Sequence, residues 1–240
     1  MKKALALILT ASLLTGVLTA CGSSEAQTDA AETTTEEAAA EETAAAEETA
    51  DTDAQAETGD LQVITVAATA VPHAEILEAA KPILAEQGYD LQVTVFDDYV
   101  QPNEVVEAGD IDCNYFQHIP YLNSYNEERG THLVSVGEIH YEPIGIYAGT
   151  ESDLSNISDG ADIAIPNDTT NEARALLILQ DNGIITLKEG AGIDATINDI
   201  AENPHNINFV EMEAAQVSKV LSEVAFAVIN GNYALDAGLN

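Results

Sequence analysis

After residue 60 the apolar positions switch repeatedly between two periods. Residues 61–69, LQVITVAAT, form a near-continuous apolar run that predicts a buried strand. In 73–88, HAEILEAAKPILAEQG, the positions Ile76, Ala79, Ala80, Ile83 and Leu84 recur at helical spacing. Pro82 should kink or restart that helix, and Gly88 should end it. Residues 90–96, DLQVTVF, alternate and predict a strand; 102–110 read as a short helix ending at Gly109. Residues 111–116 follow as a strand and 119–130 as a helix, and 132–149 read as two strands divided near Pro143.

The pattern then restarts. ADIAIP (161–166) predicts a strand, and 169–183 a helix with Thr169 and Glu172 at capping-box spacing and Gly183 as its stop. Residues 195–203, ATINDIAEN, predict a further helix ending before Pro204. INFVEM (207–212) reads as a strand, 214–222 as a helix and VAFAVIN (224–230) as a buried strand. Alternating strands and helices predict an α/β fold with largely parallel pairing. Two such sets, divided near 149–158, predict two lobes, 61–149 and 150–240, although no sequence repeat relates them. Ligands of this architecture sit in a crevice at strand ends or between lobes.

The first sixty residues belong to another regime. Lys2 and Lys3 precede an apolar run, Ala4 to Ala20, that ends in LTAC. A basic start, a short apolar stretch and small residues read as an export signal over residues 1–20. LTAC resembles a bacterial lipobox, which implies cleavage before Cys21 and acylation of that cysteine. The chain would then be anchored to a membrane at its extracytoplasmic face rather than spanning it. Residues 22–60 hold thirteen acidic residues, no basic one and no aromatic ring. Such a segment cannot bury enough apolar surface to fold, so 21–60 reads as a disordered acidic tether. As a coil the 39 residues of 22–60 would reach roughly 34 Å.

The whole chain carries a formal charge of −35. That field makes nucleic acid and anionic membrane surfaces poor partners. With Cys21 consumed, Cys113 is the one remaining thiol, so no intrachain disulfide is expected. It lies in an apolar strand and reads as an inert core thiol. The five histidines are scattered without close metal-ligand spacing, and no metal or cofactor is expected. No nucleophile elbow, P-loop or dinucleotide fingerprint occurs, and no catalysis is expected.

Arg174 is one of only two arginines. Early in its predicted helix a cation opposes the dipole, a cost that an anion held between the guanidinium and the helix N–H groups would offset. Alternatively it is a surface arginine paired with Glu172 or another acid. In 109–125, GDIDCNYFQHIPYLNSY, four of the chain's twelve Tyr and Phe residues crowd together. Tyr115 and Phe116 should face opposite sides of a strand, while Tyr121 and Tyr125 share a helix face. One ring of each pair reads as core. The other, with His118, either packs inside or walls a crevice suited to an unbranched, polarizable chain.

Three segments carry a resemblance: 98–122 (DYVQPNEVVEAGDIDCNYFQHIPYL), 163–180 (IAIPNDTTNEARALLILQ) and 224–234 (VAFAVINGNYA). In order, behind a lipobox, they resemble the NlpA/MetQ family of methionine-binding lipoproteins of ABC importers. The resemblance runs from about Leu61 to Asn240. It implies a type II periplasmic-binding-protein fold, with two α/β lobes closing on a ligand. It also implies capture of methionine, the L-isomer with the D-isomer as a further candidate, or of a close relative, and delivery to a permease with a cytoplasmic ATPase. The alternative is a ligand-sensing or scaffold lipoprotein on the same fold. By the resemblance Tyr99, Phe116, His118 and Tyr121 surround the thioether chain, Arg174 takes the carboxylate and Asn230 the head group. Glu142 is a further candidate for the ammonium. The family has Pro where this chain has Thr169, and a small residue where it has Cys113. Family members also continue past ALDAGLN with strand and helix that return to the first lobe, so a C-terminal segment is expected to be missing here.

Overall fold

The computed structural model describes residues 60–239. The signal segment, Cys21 and all of the tether but its last residue lie outside the described residues. Among those described, no helix is long and apolar enough to cross a membrane.

The first sheet has three strands, β1 (Gln62–Ala68), β2 (Tyr89–Val95) and β3 (Cys113–Tyr115), in the order β2-β1-β3. Both pairings are parallel, with Val66 opposite Val93 on one side and Cys113 on the other. The connections carry α1 (Glu75–Ala85) and α2 (Gln101–Glu107), and α3 (Ile119–Arg129) follows β3. α1 is continuous through Pro82, so the chain neither stops nor restarts there. The proline costs the helix its backbone bond to Glu78. Gly130, at φ 67°, supplies the left-handed residue that ends α3.

The second sheet is built from β4 (Ile144–Ala148), β5 (Asp162–Pro166), β8 (Asn208–Met212) and β9 (Phe226–Asn230), in the order β4-β9-β5-β8. β5 pairs in parallel with β8 and β9, and β4 runs antiparallel to β9. A small antiparallel pair, β6 (Thr186–Leu187) and β7 (Ile200–Glu202), stands apart from it. The helices are α4 (Thr169–Asp181), α5 (Ala214–Val217) and α6 (Gly231–Asp236). Strand alternation divides the core. Ile163, Ile165 and Val228 pack with Leu176 and Leu179 of α4 on one face, while Ala164, Ala227 and Ile229 pack with Val217 and Tyr233 on the other. Each fully buried Ile or Leu stabilises the fold by about 1.5–3 kcal/mol. Where β4 ends, a Cβ on Gly149 would lie 2.2 Å from the Val224 carbonyl, so glycine is required for that backbone approach.

Three local expectations fail. Residues 195–203 form no helix: Thr196 and Asp199 make a capping box around a single 3-10 turn, Ile197–Asp199, and β7 follows at once. Pairing with β6 and packing of Ile197 and Ile200 against the core outcompete helix extension. Thr169 is not the cap of α4; that position belongs to Asp168, whose carboxylate accepts from the Asn171 N–H. Glu172 turns away and accepts from the Ile197 N–H at 2.9 Å. Finally, only the second of the two strands expected in 132–149 exists, as β4. The preceding stretch alternates as a strand would, but a groove of about 750 Å³ separates it from β3 and it has no ladder partner among the described residues. Val134, Val136, Ile139 and Tyr141 are left exposed.

Candidate functional site

Three short backbone transitions aim side chains at one point. The first lies between β3 and α3. His118 holds an extended conformation (φ −89°, ψ 156°) at the start of α3, and Pro120 sits in the first turn, where its missing N–H costs nothing. The His118 ring makes no capping bond and is free to face inward. Gln117 is locked by a reciprocal amide pair with the fully buried Asn103: Asn103 Nδ2 donates to Gln117 Oε1 at 3.0 Å, and Gln117 Nε2 donates to Asn103 Oδ1 at 2.7 Å. This pair fixes the residues on either side, Phe116 and His118.

The second transition is the start of α4. Asn171 and Arg174, three apart, share a helix face, and Arg174 Nη1 donates to Asn171 Oδ1 at 2.9 Å. The third is the end of β9, where Asn230 Nδ2 donates to that same Asn171 oxygen at 2.9 Å. Glu142, just before β4, closes the ring of groups: its backbone carbonyl accepts from Arg174 Nη2 at 3.0 Å.

Tyr99, Phe116, Gln117, His118, Tyr121, Glu142, Asn171, Arg174 and Asn230 line one cleft. The seven residues singled out in the sequence outside the lipobox are therefore brought together. Gln117 and Asn171 join them. Both lie inside the quoted segments, but an amide between two better candidates carries no distinguishing spacing. The rings stand at angles: Tyr99 lies 5.7 Å from Phe116 and 5.8 Å from Tyr121, and Tyr121 donates to the Tyr99 carbonyl at 3.0 Å. Tyr125 packs behind them beneath Arg129, and Tyr115 faces the other side of β3. Tyr99 also donates to Asn232, tying the β2–α2 loop to α6.

The groups close around a cavity of only about 30 Å³, room for about two waters, so a larger guest needs the walls to part. Two buried polar atoms on this wall lack a hydrogen-bond partner, His118 Nε2 and Asn230 Oδ1. Unpaired buried atoms of this kind cost about 1–3 kcal/mol each. Burial, and then the Arg174 charge, lower the His118 pKa to about 4, so the ring is neutral near pH 7. Burial raises the Glu142 carboxyl, with His140 acting in the opposite sense. Burial likewise raises Asp168. Because Asp168 already takes a helix N–H, the charge that meets an anion here comes from Arg174 rather than from the end of α4. Cys113, on β3, is half-buried, and burial pushes its thiol up, which keeps it protonated and unreactive.

Paired α/β sheets with a polar-and-aromatic cleft define the class: this is the fold of periplasmic binding proteins. A family model described as NlpA lipoprotein matches residues 64–240, and the chain belongs to that family. A lipoprotein from Ruminococcus gnavus is 69% identical, covering 75% of this chain and 74% of its own, with a TM-score of 0.74. A nutrient binding protein from Burkholderia cenocepacia, solved bound to methionine, is 45% identical over 73% of this chain and 75% of its own, with a TM-score of 0.71. The D-methionine-binding lipoprotein MetQ of Salmonella typhimurium is 45% identical over 69% of this chain. The chain spans 62% of that relative's length.

Proposed function

We propose that this protein is a lipid-anchored, extracytoplasmic solute-binding protein that captures methionine or a close relative and delivers it to an ABC permease with a cytoplasmic ATPase. It would catalyse nothing itself. The observation that carries the reading is the convergence of Arg174 and the unpartnered Asn230 Oδ1 on one side of an aromatic wall. A guanidinium can take a carboxylate in two parallel bonds. Asn230 Oδ1 and the Glu142 carboxylate can accept from an ammonium. Tyr99, Phe116 and Tyr121 stand at angles to one another and so present ring edges as well as faces to a thioether, whose polarizable sulfur favours ring edges. The methionine found in the Burkholderia relative supports the choice of guest. The acylated Cys21 supplies the anchor, and the resemblance to importer lipoproteins supplies the partner.

Calorimetric titration of the full chain with L- and D-methionine tests the proposal. Charge-assisted bonds are worth about 1.5–3 kcal/mol, so Arg174→Ala should weaken binding roughly 10- to 150-fold. Asn230→Ala should weaken it about tenfold. Unchanged affinity in both variants would remove the assignment.

A further inference from the structure

Beside the cleft, on the far side of Glu142, lies a second cluster. His73, His140 and Glu142 place their ligand atoms within 4.8 Å of one another. His73 Nε2 is 3.3 Å and His140 Nε2 3.0 Å from the same oxygen, Glu142 Oε1. The remaining nitrogen of each ring is engaged by a hydroxyl: Thr69 Oγ1 at 2.7 Å from His73 Nδ1, and the Tyr115 hydroxyl on His140 Nδ1. Among the described residues these are the one group of three such side chains so close together.

The geometry points to a transition-metal site, taking Zn²⁺ or a similar divalent ion, formed by His73 Nε2, His140 Nε2 and a Glu142 carboxylate oxygen. Tetrahedral zinc bonds of about 2.0–2.1 Å place neighbouring ligand atoms about 3.3 Å apart. His73 Nε2 keeps that spacing from Glu142 Oε1, and His140 Nε2, at 3.0 Å, needs to retreat by only a few tenths of an ångström. Two imidazoles and one carboxylate select zinc-like ions over magnesium or calcium, which prefer all-oxygen shells. On metal binding each ring carries its proton on Nδ1 and donates it to the hydroxyl, leaving Nε2 with its lone pair directed at the ion. Water completes the fourth position. His73 is 2% exposed and comes from a fixed turn before α1, whereas His140 belongs to the exposed 131–143 stretch. An ion would therefore clip that stretch to the first sheet.

The test is titration of the untagged full chain with Zn²⁺ alone, at pH 7 with millimolar Mg²⁺ to occupy weak carboxylate sites. One strong site is expected in the parent protein, weakened at least tenfold by His140→Ala. Removing a ligand on an exposed segment leaves the core intact, so this variant stays interpretable even if His73→Gln fails to fold. His132→Ala, which removes an exposed ring paired with Glu107, should leave the strong site unchanged. The site is overturned by absence of strong binding in the parent protein, by equal binding in His140→Ala, or by a loss that follows His132→Ala instead. Methionine affinity is read in a separate titration, so failure of either proposal leaves the other standing.

Discussion

Asn171 shows how much of the cleft rests on one side chain. Its Oδ1 accepts from both Arg174 and Asn230, while its Nδ2 donates to Asp168 at 2.9 Å. Arg174 stood out in the sequence because positive charge is scarce, and the rings around His118 because rings are few, whereas Tyr99, Glu142 and Asn230 were reached only through the family resemblance. Asn171 was not, because its role comes from a contact across 59 positions. The same holds for His73: nothing in the spacing of the histidines connects it with His140, yet the ring centroids lie 5.2 Å apart. Burial also gives the histidines a measurable signature. His73 is lowered to about 4 by desolvation and then by His140, and His118 to about 4 by desolvation and then by Arg174. Unfolded, both rings protonate near 6.5. Between those values the unfolded chain binds more protons, so stability is fully present above about pH 6.5 and falls as pH drops toward 4. Each ring contributes up to about 3 kcal/mol at neutral pH. Glu142 and Asp168, raised by burial, work in the opposite sense and recover part of the loss. Urea midpoints should therefore fall between pH 7 and pH 5, with a slope below the two-proton limit of about 2.7 kcal/mol per pH unit. Nitrogen shifts of the two rings should still report neutral imidazole at pH 5. Protonated rings at pH 5.5 would refute the burial argument.

At the scale of elements, period and stop signals served well where one segment decides its own state. α4 was legible from its apolar stripe and from Gly183, which takes φ 73°. Its cap was not, because Asp168 and Thr169 both suit that position and only the backbone path chooses between them. Asp168 precedes the helix with extended dihedrals and accepts from the Asn171 N–H, while Thr169 is already helical and its hydroxyl donates to Glu128. Asp168→Ala should consequently cost about 1–2 kcal/mol in denaturant unfolding, and Thr169→Ala only a few tenths. Equal costs, or the reverse order, would restore the capping box. Asp168→Asn should retain most of the stability, since the amide oxygen can still cap.

The whole-molecule pattern of alternating strands and helices correctly implies mostly parallel sheets, because local periodicity reports which face of each segment is buried. It does not report which strand finds which neighbour. The β2-β1-β3 and β4-β9-β5-β8 orders rest on pairings over tens of residues. Residues 131–143 expose that limit. They alternate as β4 does, but β4 has β9 to pair with, and the stretch before it faces a groove. The His132 and Leu133 N–H groups are held by the Glu107 carboxylate and by Asn126 Oδ1. From Val134 to Glu142 no backbone N–H among the described residues finds a protein acceptor. Strand-forming residues held open in this way exchange amide hydrogen freely, since exchange needs no unfolding where no bond must break. β9 lies at the other extreme, with both neighbours paired and all five of its residues buried. Hydrogen–deuterium exchange should thus label residues 134–142 within seconds at neutral pH and leave 226–230 protected to the level of global unfolding. Zn²⁺, if it binds through His140, should slow exchange in the first segment and leave the second as it was. Protection of 134–142 in the metal-free protein would mean that the stretch has found a ladder partner and that the groove beside β3 is closed in solution.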